Sequence, residues 1–192
     1  MARPTILLLL LCAAALPALA SEDGDGRRCS WCNDSEFAWQ VQADLPAKGL
    51  GRALDEETGL GLGAQWTTFR SGGFANRFRL EWNVFPTGNP VAPDNLKSSS
   101  SNYIASFDRL YHLSGGSEGL YILGGLGAVR WFMTQGPEGG PQASWHATKL
   151  EVTGGVGYRF NHHVSLEARY MVSSFNGTFD ANLLQGSLGV RF

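Results

Sequence analysis

The stretch Lys149-Leu-Glu-Val-Thr-Gly-Gly-Val-Gly-Tyr-Arg-Phe160 decides the fold. Leu150, Val152, Gly154, Val156, Tyr158 and Phe160 are apolar or small, and they alternate with Lys149, Glu151, Thr153, Gly155, Gly157 and Arg159. After Asn161–His162 the pattern resumes, with Val164, Leu166, Ala168, Tyr170 and Val172 against Ser165, Glu167, Arg169 and Ser173. Asn176–Gly177 reads as a further turn. A last segment then sets Leu184, Gly186, Leu188, Val190 and Phe192 against Gln185, Ser187 and Arg191. Strict period-2 alternation means β-strands with two chemically different faces.

Upstream the same pattern recurs. Phe37, Trp39, Val41, Ala43 and Leu45 share one face of a first strand whose other face carries Gln40, Gln42 and Asp44. A Gly-rich second strand spans about Leu60 to Arg70, and Ser71-Gly72-Gly73 is a tight-turn signal. The third strand sets Phe78, Leu80, Trp82 and Val84 against Arg77, Arg79, Glu81 and Asn83. A fourth, from about Asn102 to Leu113, alternates less cleanly, because Arg109 shares a face with Tyr103, Phe107 and Tyr111. Either Arg109 sits at headgroup level or a bulge shifts the register there. The fifth, Gly119 to Met133, is apolar on both faces at first and then rich in small residues before Arg130-Trp131. With the three segments above, eight strands are expected. Longer connections (Pro46–Gly59, Pro86–Ser101, Gln135–His146 and the shortest, Phe175–Phe179) alternate with tight turns, so one end of an up-and-down barrel carries the loops.

The beginning of the chain assigns a compartment. Arg3 precedes an apolar run from Ile6 to Leu16, and Pro17 and Ala18-Leu19-Ala20 follow as a cleavage pattern. The run is too short to span a bilayer. Leu11 stands where a lipoprotein needs a small residue before Cys12, so residues 1–20 read as a removed secretory signal. Its loss leaves 15 − 1 = 14 basic against 17 acidic residues, a net charge of −3. That balance argues against a nucleic-acid partner, which needs a basic patch. Residues 21–36 form a polar leader in which Cys29 and Cys32 are spaced C-x-x-C. In an oxidising compartment, outside any βαβ context, a local disulfide or two free thiols is the expectation. No second Cys/His pair stands near enough to complete a metal site.

Alternation alone does not separate a soluble barrel with an apolar interior from a membrane barrel with an apolar exterior. The polar faces carry Asp44, Arg77, Arg79, Glu81, Asp108, Arg130, Lys149, Glu151, Arg159, Glu167, Arg169 and Arg191. This balanced set suits a packed lumen network but would also suit a solvated exterior. Aromatic residues decide the question. Phe37, Tyr111, Tyr121, Tyr158, Phe160 and Phe192 map to the turn end, and Trp82, Tyr103, Trp131 and Tyr170 to the loop end. Two such belts belong at lipid headgroups, whereas a soluble calyx would gather its aromatics inside. Glycines on the polar face (Gly61, Gly63, Gly155, Gly157, Gly189) suit a crowded interior. The expected fold is an all-β, eight-stranded antiparallel up-and-down transmembrane barrel over residues 37–192.

Gly154 to Phe160, Val164 to Tyr170 and the ending Gly189-Val-Arg-Phe192 together resemble the small OmpA- and OmpX-type barrel family. The resemblance implies a monomer in the outer membrane of a Gram-negative cell, in contact with lipid and lipopolysaccharide. It also implies insertion by the barrel-assembly machinery, which recognises a last strand ending on Phe. Members of that family include structural anchors and adhesins, so the fold does not settle the function. The expected role is non-enzymatic and needs no cofactor: surface contact or envelope integrity through the outer loops, none of which carries a recognisable ligand motif.

Two other classes compete. Lipid A-modifying barrel enzymes use His and Ser, and His163-Val-Ser165 resembles their His-x-Ser, although Leu166 replaces the Asn that follows in that family and the motif lies at the turn end. His146, with Ser144 and Glu138 nearby, lies in a Gly/Pro-rich loop without a visible orienting framework. For these and for His112 and His162, solvated or interfacial positions are expected. A pore is the other alternative; eight strands leave little room once the lumen charges pack. Asn176-Gly177-Thr178 matches a glycosylation sequon, which matters only on a eukaryotic secretory route.

Overall fold

The structure, a computed structural model, describes residues 35–47, 49–50, 54, 57–86, 96–137, 140–173 and 181–191. Cys29, Cys32, Phe192, the Phe175–Phe179 loop and the sequon at Asn176 lie outside these residues. Eight strands form among the described residues: β1 (Ser35–Ala47), β2 (Gly59–Phe69), β3 (Phe74–Phe85), β4 (Leu96–His112), β5 (Gly119–Pro137), β6 (Ala143–Arg159), β7 (Val164–Val172) and β8 (Asn182–Arg191). Each pairs antiparallel with its sequence neighbours, and β1 pairs with β8, so the barrel is closed and no strand edge is left open.

Period-2 chemistry becomes two surfaces. Along β3, Arg77, Arg79, Glu81 and Asn83 are buried, while Phe78, Leu80, Trp82 and Val84 are exposed. The same division holds in β7, where Ser165, Glu167, Arg169 and Met171 face inward and Leu166 and Tyr170 outward. The barrel is therefore polar inside and apolar outside. Trp39, Leu62, Trp66, Leu126 and Leu150 are each more than half exposed, on four different strands. A water-soluble protein does not carry an apolar belt of that extent, because each exposed square ångström costs about 25 cal/mol.

Two readings change at the strand ends, and a third, left open by the sequence, is decided. The serines Ser98 to Ser101 belong to β4, and Gln135–Pro137 and Ala143–His146 extend β5 and β6. A 19-residue strand at about 3.4 Å per residue and roughly 40° tilt climbs roughly 50 Å, well beyond a hydrocarbon core of about 25–30 Å. Its outer end needs no apolar face, which is why alternation fails there. Consequently the β5–β6 connection, residues 138–142, is shorter than the one from 173 to 181, and no longer than the turn 113–118. Finally, β4 runs without a bulge: Arg109 pairs in register with Asn76 and Gly124. Its guanidinium lies outside, bonded to Asn76 Oδ1 at 2.7 Å and 4.8 Å over the Phe74 ring.

Candidate functional site

The lumen is built in three layers. The middle one is a charge network carried by alternate residues of β1, β3, β4, β7 and β8. Asp108 accepts from Arg79 (Nε–Oδ2 2.5 Å, Nη2–Oδ1 3.2 Å) and from Arg77 (Nε–Oδ2 3.1 Å). Arg77 also reaches Glu167 at 2.7 Å. Arg79 pairs with Glu81, which Arg169 approaches from the far wall at 2.9 Å. Gln40, Gln42 and Gln185 donate to the same Glu81 carboxylate at 2.7, 3.3 and 3.2 Å. Three guanidiniums thus meet three carboxylates, all at most 4 % exposed. Dehydrated charges of this kind persist only when paired and hydrogen-bonded.

Of the residues read from sequence for this network, Arg77, Arg79, Glu81, Glu167 and Arg169 come together here. Asp44 lies inside but towards the loops, on the same level as Asn83, whose amide nitrogen donates to Asn102 Oδ1 at 2.9 Å. Glu151 is buried beside Gly127, where a Cβ would fall 2.7 Å from Oε1. Lys149 has the inward parity of β6 and is half-buried. Arg130 is a correction: it is exposed, on the outer face, with its guanidinium 5.3 Å over the Phe132 ring.

At the turn end, Arg159 and Arg191 share Glu36 (2.7 and 3.2 Å). His112 packs there against Phe69 and Tyr121 with tilted rings, at 5.8 and 4.9 Å between ring centroids. His112 is only 2 % exposed, against the expectation of a solvated or interfacial histidine. Tyr121 is likewise corrected from the outer belt to the lumen, where it is 1 % exposed. Its register partner is Gly157, and a Cβ on Gly157 would collide with the Tyr121 ring. The missing side chain makes the room that turns Tyr121 inward.

At the loop end an apolar cluster fills the lumen beside the buried Asp44, Asn83, Asn102 and Asn182. Phe85, Ile104, Val129, Trp131, Met133, Met171 and Leu183 point inward and meet Leu50, Leu54 and Ala181 from the connections. A backbone bond joins Leu54 N to Leu50 O at 3.0 Å, and both leucines are fully buried. Trp131 belongs to this plug, 5.7 Å from Phe85, and not to the outer belt where the sequence placed it. The one signal that could have shown the plug is the parity of Val129, Trp131 and Met133, counted from a glycine-matched Tyr121.

Outside, Phe37, Tyr111, Tyr158 and Phe160 are exposed towards the turn end, and Trp82, Tyr103 and Tyr170 towards the loop end. Trp82 stacks on Tyr103 at 6.3 Å, Tyr103 meets Phe132 edge-on at 5.9 Å, and Phe132 lies 6.4 Å from His146. The His-x-Ser pair is divided: His163 Nδ1 lies 3.3 Å from the Arg191 carbonyl in an exposed turn, while Ser165 faces the lumen. Among the described residues no cluster of three or more His, Cys, Asp or Glu is arranged to hold a metal ion.

The architecture is that of small outer-membrane barrels. The chain is similar to the attachment invasion locus protein Ail of Yersinia pestis in complex with the heparin analogue sucrose octasulfate, at TM-score 0.59 and 16% identity over 82% of this chain and 97% of that one. Ail in a phospholipid bilayer nanodisc gives 0.52 and 15% over 83% and 100%. The N-terminal barrel domain of Pseudomonas aeruginosa OprF gives 0.50 and 14% over 83% and 100%. At these identities the likeness is one of fold. Neither a family model nor a curated protein matches the sequence.

Proposed function

We propose that the chain is a non-enzymatic barrel of the bacterial outer membrane that presents polar loops for surface contact or envelope integrity. The observation that carries this reading is the inside-out surface: a continuous apolar belt around a lumen of paired charges and a closed apolar plug. Residues 1–20 act as the export signal, and the outer aromatic rows lie at the two headgroup levels. Arg130, at the loop end beside Tyr103 and Phe132, contacts the phosphates of lipopolysaccharide. Export through the barrel-assembly machinery and a monomeric state complete the proposal.

The loop chemistry differs from what a sulfated polyanion requires. The four outer connections carry the acids Asp55, Glu56, Glu57, Asp94, Glu138 and Asp180 against the bases Lys48 and Arg52. The octasulfate bound to Ail is therefore a poor guide to this chain, whose partner is expected to be neutral or cationic. Loop replacement tests the role: exchanging 55–58 and 86–95 for short Gly/Ser turns, with Leu50 and Leu54 kept in the plug, should abolish a surface or envelope phenotype and leave the barrel folded. Lipid A acyl patterns should be the same with and without the protein. A change that disappears in His146→Ala or His163→Ala would defeat the reading in favour of a lipid-modifying enzyme. Planar-bilayer recordings should show no wide, stable conductance.

A further inference from the structure

The charges at the turn end of the lumen are not closed as those of the middle layer are. In the middle, Arg77, Arg79 and Arg169 answer Glu81, Asp108 and Glu167. At the turn end, Arg159 and Arg191 both lean on the single carboxylate of Glu36, whose side chain is 27 % exposed at the rim. The two arginine side chains are 1 % and 6 % exposed, and Nη1 of each has no hydrogen-bond partner among the described residues. Two guanidiniums and one carboxylate leave one positive charge in a nearly dry enclosure.

Further polar atoms converge on the same space. Both ring nitrogens of His112, both amide atoms of Gln65 and Ser165 Oγ are buried without a hydrogen-bond partner among the described residues. Arg159 and His112 both pack against one ring, Phe69, at 5.0 and 5.8 Å. Ser165 is the register partner of both Arg159 and Gly189. Gln65 Nε2 and Ser165 Oγ lie 3.1 and 2.8 Å from the position a Cβ on Gly189 would take, so the absence of that Cβ lets both reach inward. Ala38, between Gln65 and Arg191 in the ladder, keeps that wall low.

We propose that the turn-end mouth of the lumen is a binding site for a small oxyanion, a phosphate or carboxylate group. Arg159 and Arg191 hold it, His112, Gln65 and Ser165 donate further bonds, and Glu36 competes with it for the guanidiniums from the rim. Planar guanidiniums present paired N–H groups to an oxyanion, and such charge-assisted bonds are about twice as strong as neutral ones. The group can come from solution at the turn side.

The test is calorimetric titration of inorganic phosphate into the full chain from Ser21, folded in detergent, at low ionic strength. Saturable binding is expected, about tenfold weaker in Arg159→Gln and in Arg191→Gln, each shown to fold by its circular dichroism. Glu36→Gln should bind more tightly than the parent, a change of opposite sign that a loss of folding cannot imitate. Absence of phosphate binding to the parent, or binding of equal strength in Arg159→Gln, Arg191→Gln and the parent, overturns the proposal.

Discussion

The two halves of the lumen are filled by opposite chemistry. The lower part is held by charges that find partners across three or more strands, and the upper part by large apolar side chains closed under Leu50 and Leu54. Both exclude water, but they do it with different sensitivities. A paired charge is neutral in effect until one partner is lost, when the other remains buried and uncompensated. An apolar plug loses only what is removed plus the cavity left behind. The comparison teaches that the lower lumen specifies which strands face each other, while the upper lumen mainly seals.

The largest expected effect follows directly. Glu81→Ala strips Arg79 and Arg169 of a shared carboxylate and should cost about 3–5 kcal/mol, read by urea unfolding in lipid vesicles. If that loss were within experimental error, the lower lumen would be hydrated and the contrast between the halves would fail. In the plug, Leu183→Ala should cost about 2–4 kcal/mol by the same measurement. On the outer face, Leu126→Ala should cost only about 1–2 kcal/mol, since the lost burial is against lipid and leaves no cavity. Arg130→Ala should be smallest, about 0.5–1 kcal/mol, the worth of an exposed guanidinium over Phe132.

How far the fold was legible follows from where alternation holds. In β3 and β7, one face is charged and the other apolar, so parity could be read residue by residue. In β5 both faces begin apolar, and parity there depends on a partner strand: Gly157 opposite Tyr121 turns the ring inward and carries Trp131 in and Arg130 out. The outer ends of β4 and β6 were invisible because, beyond the membrane, neither face has to be greasy. The lumen ion pairs were legible only as an inventory. Which arginine meets which acid depends on register, as when Arg77 lies directly opposite Asp108 but spans the lumen to Glu167. The plug was missed for a related reason, since Leu50 and Leu54 sit in a polar connection whose two leucines gave no period.

The central claim is that apolar residues face lipid and the lumen is sealed from it, and two tryptophans test it within one experiment. Trp66 is 57 % exposed on the outer face and Trp131 is fully buried in the plug. Two single-tryptophan proteins, one retaining each, are folded into vesicles of ordinary and of brominated phospholipid, and their fluorescence is compared. The structure predicts strong quenching of Trp66 by the brominated chains and little or none of Trp131. Quenching of Trp131 with Trp66 unaffected would contradict the account by turning the barrel's faces inside out, and a chain that stays in the aqueous phase without vesicles would contradict it outright.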